Sequence, residues 1–104
     1  MNFSVIFPSA SLEKRFAKEL RSISDKNIRQ RIAEATISLA DNPFPFRESK
    51  GSYFKKLKPP IEFYEHAAQY RIRISDYRVL YDVDIINKKV IILALRKRSE
   101  NTYR

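Results

Sequence analysis

The chain has 104 residues and a formal net charge of +9, from 21 Lys+Arg against 12 Asp+Glu; 43% of residues are hydrophobic, 12% are aromatic and none is cysteine. That length suits one domain, 1–104, with one modest core, and the composition is globular rather than disordered. A disulfide framework, a thiolate nucleophile and a cysteine zinc site are excluded. The only histidine, His66, excludes a two-histidine acid–base pair and a histidine-rich metal site. No apolar run approaches the ~20 residues that span a bilayer. The N-terminus, MNFSVIFPSA, lacks the basic region and the apolar length of a signal peptide. The simplest expectation is a cytoplasmic protein without a membrane partner. The charge points to nucleic acid or an acidic protein as partner, against the plainer reading of a merely soluble basic chain.

Asn2 to Phe7 reads as a strand, because Phe3, Val5 and Phe7 alternate with Asn2, Ser4 and Ile6 before Pro8. Ser9 or Ser11 can cap a helix. Leu12, Phe16, Leu20 and Ile23 then make an apolar stripe at helical spacing. Ser24-Asp25 breaks it and can cap a second helix, striped by Ile28, Ile32, Ala35 and Leu39. So short a link predicts an antiparallel helical hairpin. Asn42-Pro43 and Pro45 end it.

The middle, about 41 to 66, reads as mostly loop, carrying prolines and the sole glycine, Gly51. One short strand, Tyr53 to Leu57, is expected there, ended by Pro59-Pro60. Lys55, Lys56 and Lys58 lie along it, as a grip for phosphate or as a solvated edge strand. His66 falls in this loop and reads as structural or merely exposed.

From about residue 67 the period is two. Tyr70, Ile72 and Ile74 share one face; Arg71 and Arg73 share the other. Ser75-Asp76 is a hairpin turn, and Asn87-Lys88 a second. Tyr77, Val79, Tyr81 and Val83 alternate with Arg78, Leu80 and Asp82. Val90 to Leu95 is apolar on both parities, as a strand covered on both faces is. Residues 99–104 carry no period. The order β-α-α-β-β-β-β predicts an α+β fold, with the helices on one face of a largely antiparallel sheet and an open, basic face near the arginines.

Arginine on a rigid sheet suits a phosphate chain, since guanidinium is a planar fork of donors that keeps its charge. Each cation also has a plainer reading. Arg71 and Arg73 could be a solvated face, Arg78 could pair with Asp82, and Arg96 and Arg98 could hold an acidic protein segment. Tyr103 could be a frayed end. Tyr70, Tyr77 and Tyr81 read as core residues more readily than as stacking platforms.

The element order, the phrase YRIRISDYRVLYDVD and the ending KKVIILALRKRSENTYR resemble the RelE/ParE toxin superfamily of prokaryotic toxin–antitoxin systems. The RKRSENTYR ending looks RelE-like. That resemblance implies a type II toxin that cuts mRNA in the ribosomal A site, an endoribonuclease needing no cofactor and no metal. It implies as partners a cognate antitoxin and the ribosome with its mRNA. The alternative within the superfamily is a ParE-like inhibitor of DNA gyrase that acts by binding alone. By resemblance, Arg71 and Arg73 face the scissile phosphate, Arg78 binds it, Arg96 or Arg98 stabilises the transition state, and Tyr103 handles the 2′-OH proton. Lys55, Lys56, Lys58 and Lys97 would extend the RNA-binding surface. The chain departs from the family pattern at Ser75, where glycine is usual, and at Lys97, where histidine is common. Its Lys58–Gln69 segment is longer than the family's, and one residue is inserted before Tyr103.

Overall fold

The computed structural model describes residues 3–45, 52–63 and 65–97. The order is β1 (Ser4–Ile6), α1 (Ala10–Arg21), α2 (Lys26–Ser38), β2 (Ser52–Phe63), β3 (His66–Ile74), β4 (Tyr77–Asp84) and β5 (Lys89–Lys97). The strands form one sheet in the order β1-β5-β4-β3-β2, antiparallel except for the parallel pairing of β1 with β5. The fold is α+β, as the element pattern predicts.

Local chemistry sets both helix starts. The Ser9 hydroxyl accepts from the Leu12 amide at 3.2 Å. The Asp25 carboxylate accepts from the amides of Asn27 and Ile28 at 2.9 and 3.3 Å. Caps of this kind contribute about 0.5–2 kcal/mol each. The Arg29 guanidinium donates to the Ile23 carbonyl and ties α2 to the link before it. The two apolar stripes then do what their spacing requires. Phe16, Ile23, Ile32 and Leu39 are buried against Ile72 and Ile74 of β3, Val79 and Tyr81 of β4, and Val90, Ile92 and Leu95 of β5.

Tyr81 is fully buried in this core, and its hydroxyl donates to the Pro43 carbonyl at 2.7 Å. Burial pushes its phenol far above the usual tyrosine range. Tyr70 and Tyr77 pack against the same core. Tyr70, Tyr77 and Tyr81 therefore belong to the core or pack against it, the plainer of their two readings.

Three expectations about strands and turns need correction. The middle segment is not mostly loop: β2 runs through Pro59-Pro60 to Phe63, with a cis Lys58–Pro59 bond. Proline is tolerated because β2 is an edge strand and because residues 57–60 lie in a register shift between Lys56 and Ile61. His66 is not in a loop; it opens β3 opposite Phe63. The second turn covers residues 85–88 rather than Asn87-Lys88 alone. There the Asp84 carboxylate accepts from the Asn87 side chain at 2.9 Å and from its amide at 3.0 Å, which holds the carboxyl below its usual range.

β5 is covered on both faces, as its unbroken apolar run predicts. Behind the main core a second cluster joins Leu12, Phe63, Ala68, Leu80 and Leu93. Phe63 ends the edge strand β2, yet it clusters with residues of β4, β5 and α1. The far half of the β2–β3 hairpin therefore curls over the second face. That face is half covered, not open as the sequence suggested.

Candidate nucleic-acid interface

The β3–β4 turn does the first positioning. Ser75 takes φ 57°, where glycine would be easier, and the two-residue turn pairs Ile74 with Tyr77 and Arg73 with Arg78. Residues opposed across a ladder share a face. Arg73 and Arg78 are thus side by side, and Arg71, two residues back, joins them on that face.

A bulge does the second. Near the turn, Asp84 pairs with Lys89 and Tyr81 with Ile92; beyond it, Leu80 pairs with Ala94 and Arg78 with Arg96. The extra residue is Leu93. Without it Arg78 would oppose Leu95, and Arg96 would point to the helix side. The bulge thus completes a row, Arg73–Arg78–Arg96, across three adjacent strands. At about 4.8 Å between strands the row is about 10 Å long. The next row carries Lys55 opposite Arg71, with Leu80 opposite Arg71 on the other side.

The row is not a uniformly solvated face. Arg78 is only 8% exposed. Arg71 and Arg73 are half-buried, and Arg96 is exposed. The Arg73 Nε donates to the Ser75 carbonyl at 3.2 Å, which turns it toward the hairpin turn. The Arg96 guanidinium lies over the Phe63 ring, 4.9 Å from its centre. The Asp82 carboxylate accepts from the Val83 amide at 2.8 Å. Four residues along a strand, about 13 Å, separate it from Arg78.

The lysines divide. Lys55 stands in register with Arg71; Lys56 pairs with Tyr70, on the opposite parity. Lys58 lies within the register shift, and all three are exposed. Lys97 pairs with Tyr77, a neighbour of the main core, so it belongs to the helix side. It also lines a groove of about 610 Å³ between α1 and β5 that takes residues from both faces, Arg15, Lys18, Phe63 and Arg96 among them. Arg15 and Lys18 escaped the sequence reading, which followed only the apolar stripe of α1; their three-residue spacing was the available signal. Phe63 escaped because Pro59-Pro60 read as a strand end, although Ile61 and Phe63 already alternate. Arg98 and Tyr103 lie outside the described residues.

Like charges opposed across a ladder are destabilising, and an anion bridging them relieves that repulsion. The described part of the row can therefore bind and stabilise negative charge. Arginine, with a pKa above 12, cannot shuttle protons near neutrality. His66 opens β3 and lines a separate recess with Ser9, Arg15 and Glu65. Among the described residues no cluster of His, Cys, Asp or Glu could hold a metal ion, and no helix is long and apolar enough to cross a membrane.

The fold has solved relatives. A chain of the RelE–RelB complex from the archaeon Pyrococcus horikoshii is similar over 96% of this chain and 99% of its own length, at 27% identity and a TM-score of 0.65. The isolated RelE toxin of E. coli matches over 96% of this chain and 88% of its own, at 17% identity and a TM-score of 0.51, a likeness of fold. No curated protein matches in sequence. The family profile described as the ParE toxin of type II toxin–antitoxin systems, parDE, matches residues 10–102. With nearly its whole length inside that profile, and RelE toxins among its structural neighbours, the chain belongs to the ParE toxin family within the RelE/ParE superfamily and is a toxin of a type II toxin–antitoxin system.

Proposed function

We propose that this toxin is a ribosome-dependent mRNA endoribonuclease. The observation that carries the reading is the in-register row Arg73–Arg78–Arg96, with Arg78 buried at its centre. In the reaction the 2′-oxygen attacks the adjacent phosphorus, the bond from phosphorus to the 5′-oxygen breaks, the 2′-OH proton leaves and the 5′-oxygen gains one. The row supplies charge stabilisation for the phosphorane, the largest single contribution in reactions of this type. Arg71 steadies the phosphate chain, and Lys55, Lys56 and Lys58 extend the grip along the edge strand. Arg98 and Tyr103 are proposed to complete the site, Tyr103 by orienting or accepting the 2′-OH proton. With so few proton-transfer groups the chemistry depends on positioning, which the ribosome provides by holding the mRNA. A cytoplasmic setting and a cognate antitoxin follow from this reading. The archaeal relative was crystallised as a RelE–RelB complex.

The ParE profile favours a second reading, inhibition of DNA gyrase by binding alone. Induction in cells separates the two by primer extension on a translated reporter mRNA. The nuclease reading expects growth arrest with cuts inside the reading frame that vanish when translation of that mRNA is blocked. Arrest with intact mRNA and lost supercoiling would transfer the assignment to gyrase.

A further inference from the structure

The β2–β3 hairpin is interrupted by a register shift between Lys56 and Ile61, and Phe63, just beyond the shift, touches the arginine row. Residues 57–60 of β2 face a single residue, Gln69, between the Lys56–Tyr70 and Ile61–Ala68 pairs. Such an excess bends and twists a strand. The bend carries Phe63 from the sheet edge onto the second cluster, beside Leu80, which is two residues from Arg78 on the same face, and Leu93, the bulge residue that sets the parity of Arg96. Phe63 is 8% exposed, with the exposed Arg96 guanidinium 4.9 Å from its ring centre.

We infer that Phe63 is a positioning residue for phosphate binding: its ring holds the Arg96 guanidinium beside Arg78, so that the row is assembled before RNA arrives. This rests on the proposal that the row grips RNA. A guanidinium is attracted to the negative face of an aromatic ring. An exposed arginine that must find its geometry on binding loses rotamer freedom at that moment, whereas one already stacked loses less. The ring is buried among aliphatic side chains, so it is a fixed platform and not itself a base-stacking surface. The curled hairpin thereby contributes to the row without touching the substrate.

The test measures affinity of the purified toxin for a short, fluorescein-labelled single-stranded RNA by anisotropy, over a series of salt concentrations. Phe63→Leu keeps an apolar side chain in the cluster and removes the ring. It is expected to bind about three- to tenfold more weakly, the size of an exposed to partly desolvated cation–π contact, with the salt slope unchanged because every cation remains. Phe63→Tyr restores the ring and is expected to restore affinity. Arg96→Gln removes a phosphate contact, so its salt slope should fall by about 0.7. In an Arg96→Gln background Phe63→Leu should have no further effect.

Wild-type affinity in Phe63→Leu, or an equal loss with and without Arg96, would overturn the inference and leave the reading of the row intact. Unchanged affinity in Arg78→Ala would overturn both. The intact protein gives a reading independent of variant folding. A stacked Arg96 must show a ring-current-shifted Nε–H resonance by NMR, and a random-coil position would contradict the stack.

Discussion

Arg78→Ala is expected to abolish growth arrest while leaving the fold and antitoxin binding in place. The expected loss in cleavage rate is about 10²–10³-fold, the scale seen when one preorganised donor is removed from a developing anion. The effect should be large because Arg78 occupies the centre of the row, flanked by Arg73 on β3 and Arg96 on β5, and is only 8% exposed. A charge held away from water acts on a phosphorane more strongly than a solvated one. Truncation to alanine also removes the packing of the side-chain stem. Arg78→Met is the matched control, since it keeps the stem's bulk without the charge. Arg78→Met should unfold near the wild-type temperature, Arg78→Ala somewhat below it, and both should be inert. Full toxicity in either would remove Arg78 from the site.

The second large effect is on RNA affinity, which should collapse with salt. Lys55, Arg71, Arg73, Arg78 and Arg96 share the face by register. If each of the five neutralises one phosphate of a single strand, log K falls against log salt with a slope of about −3.5. Affinity for a labelled RNA would then drop about 100-fold between 50 and 200 mM salt. Lys97→Gln should lower that slope by less than Lys55→Gln does, because Lys97 pairs with Tyr77 on the helix side, although it lines a groove with Arg96. Lys55→Gln should lower it by about 0.7. A slope near zero, or a larger effect from Lys97 than from Lys55, would place the RNA elsewhere.

The parts of the fold legible in the sequence are those governed by local rules. Ser9 and Asp25 cap as their side chains allow, and the stripes through Phe16 and Ile32 predict the buried helix faces. The Ser75-Asp76 turn is short enough that arithmetic alone gives Arg73 opposite Arg78. The other half of the row was not accessible that way. A two-residue Asn87-Lys88 turn would pair Ile86 with Lys89 and bring Lys97 opposite Arg78. The wider turn at 85–88 and the Leu93 bulge change that register and put Arg96 there instead. A bulge flips the parity of every later residue, and Leu93 sits in an unbroken apolar run where parity leaves no trace.

The passage of β2 through Pro59-Pro60 was hidden for a related reason. Proline forbids a place in a central ladder, and the sequence does not say which strands are edges. The curl of Phe63 onto Arg96 depends on both facts, so no local pattern announces it.

The most direct measurement is reconstitution: purified toxin, ribosomes programmed with end-labelled mRNA, and chemical mapping of the fragment ends. Cleavage of ribosome-bound mRNA, leaving a 2′,3′-cyclic phosphate on one fragment and a 5′-OH on the other, is the expected result, with no cutting by Arg78→Ala. Intact mRNA in the presence of active ribosomes, together with inhibition of purified gyrase, would contradict it.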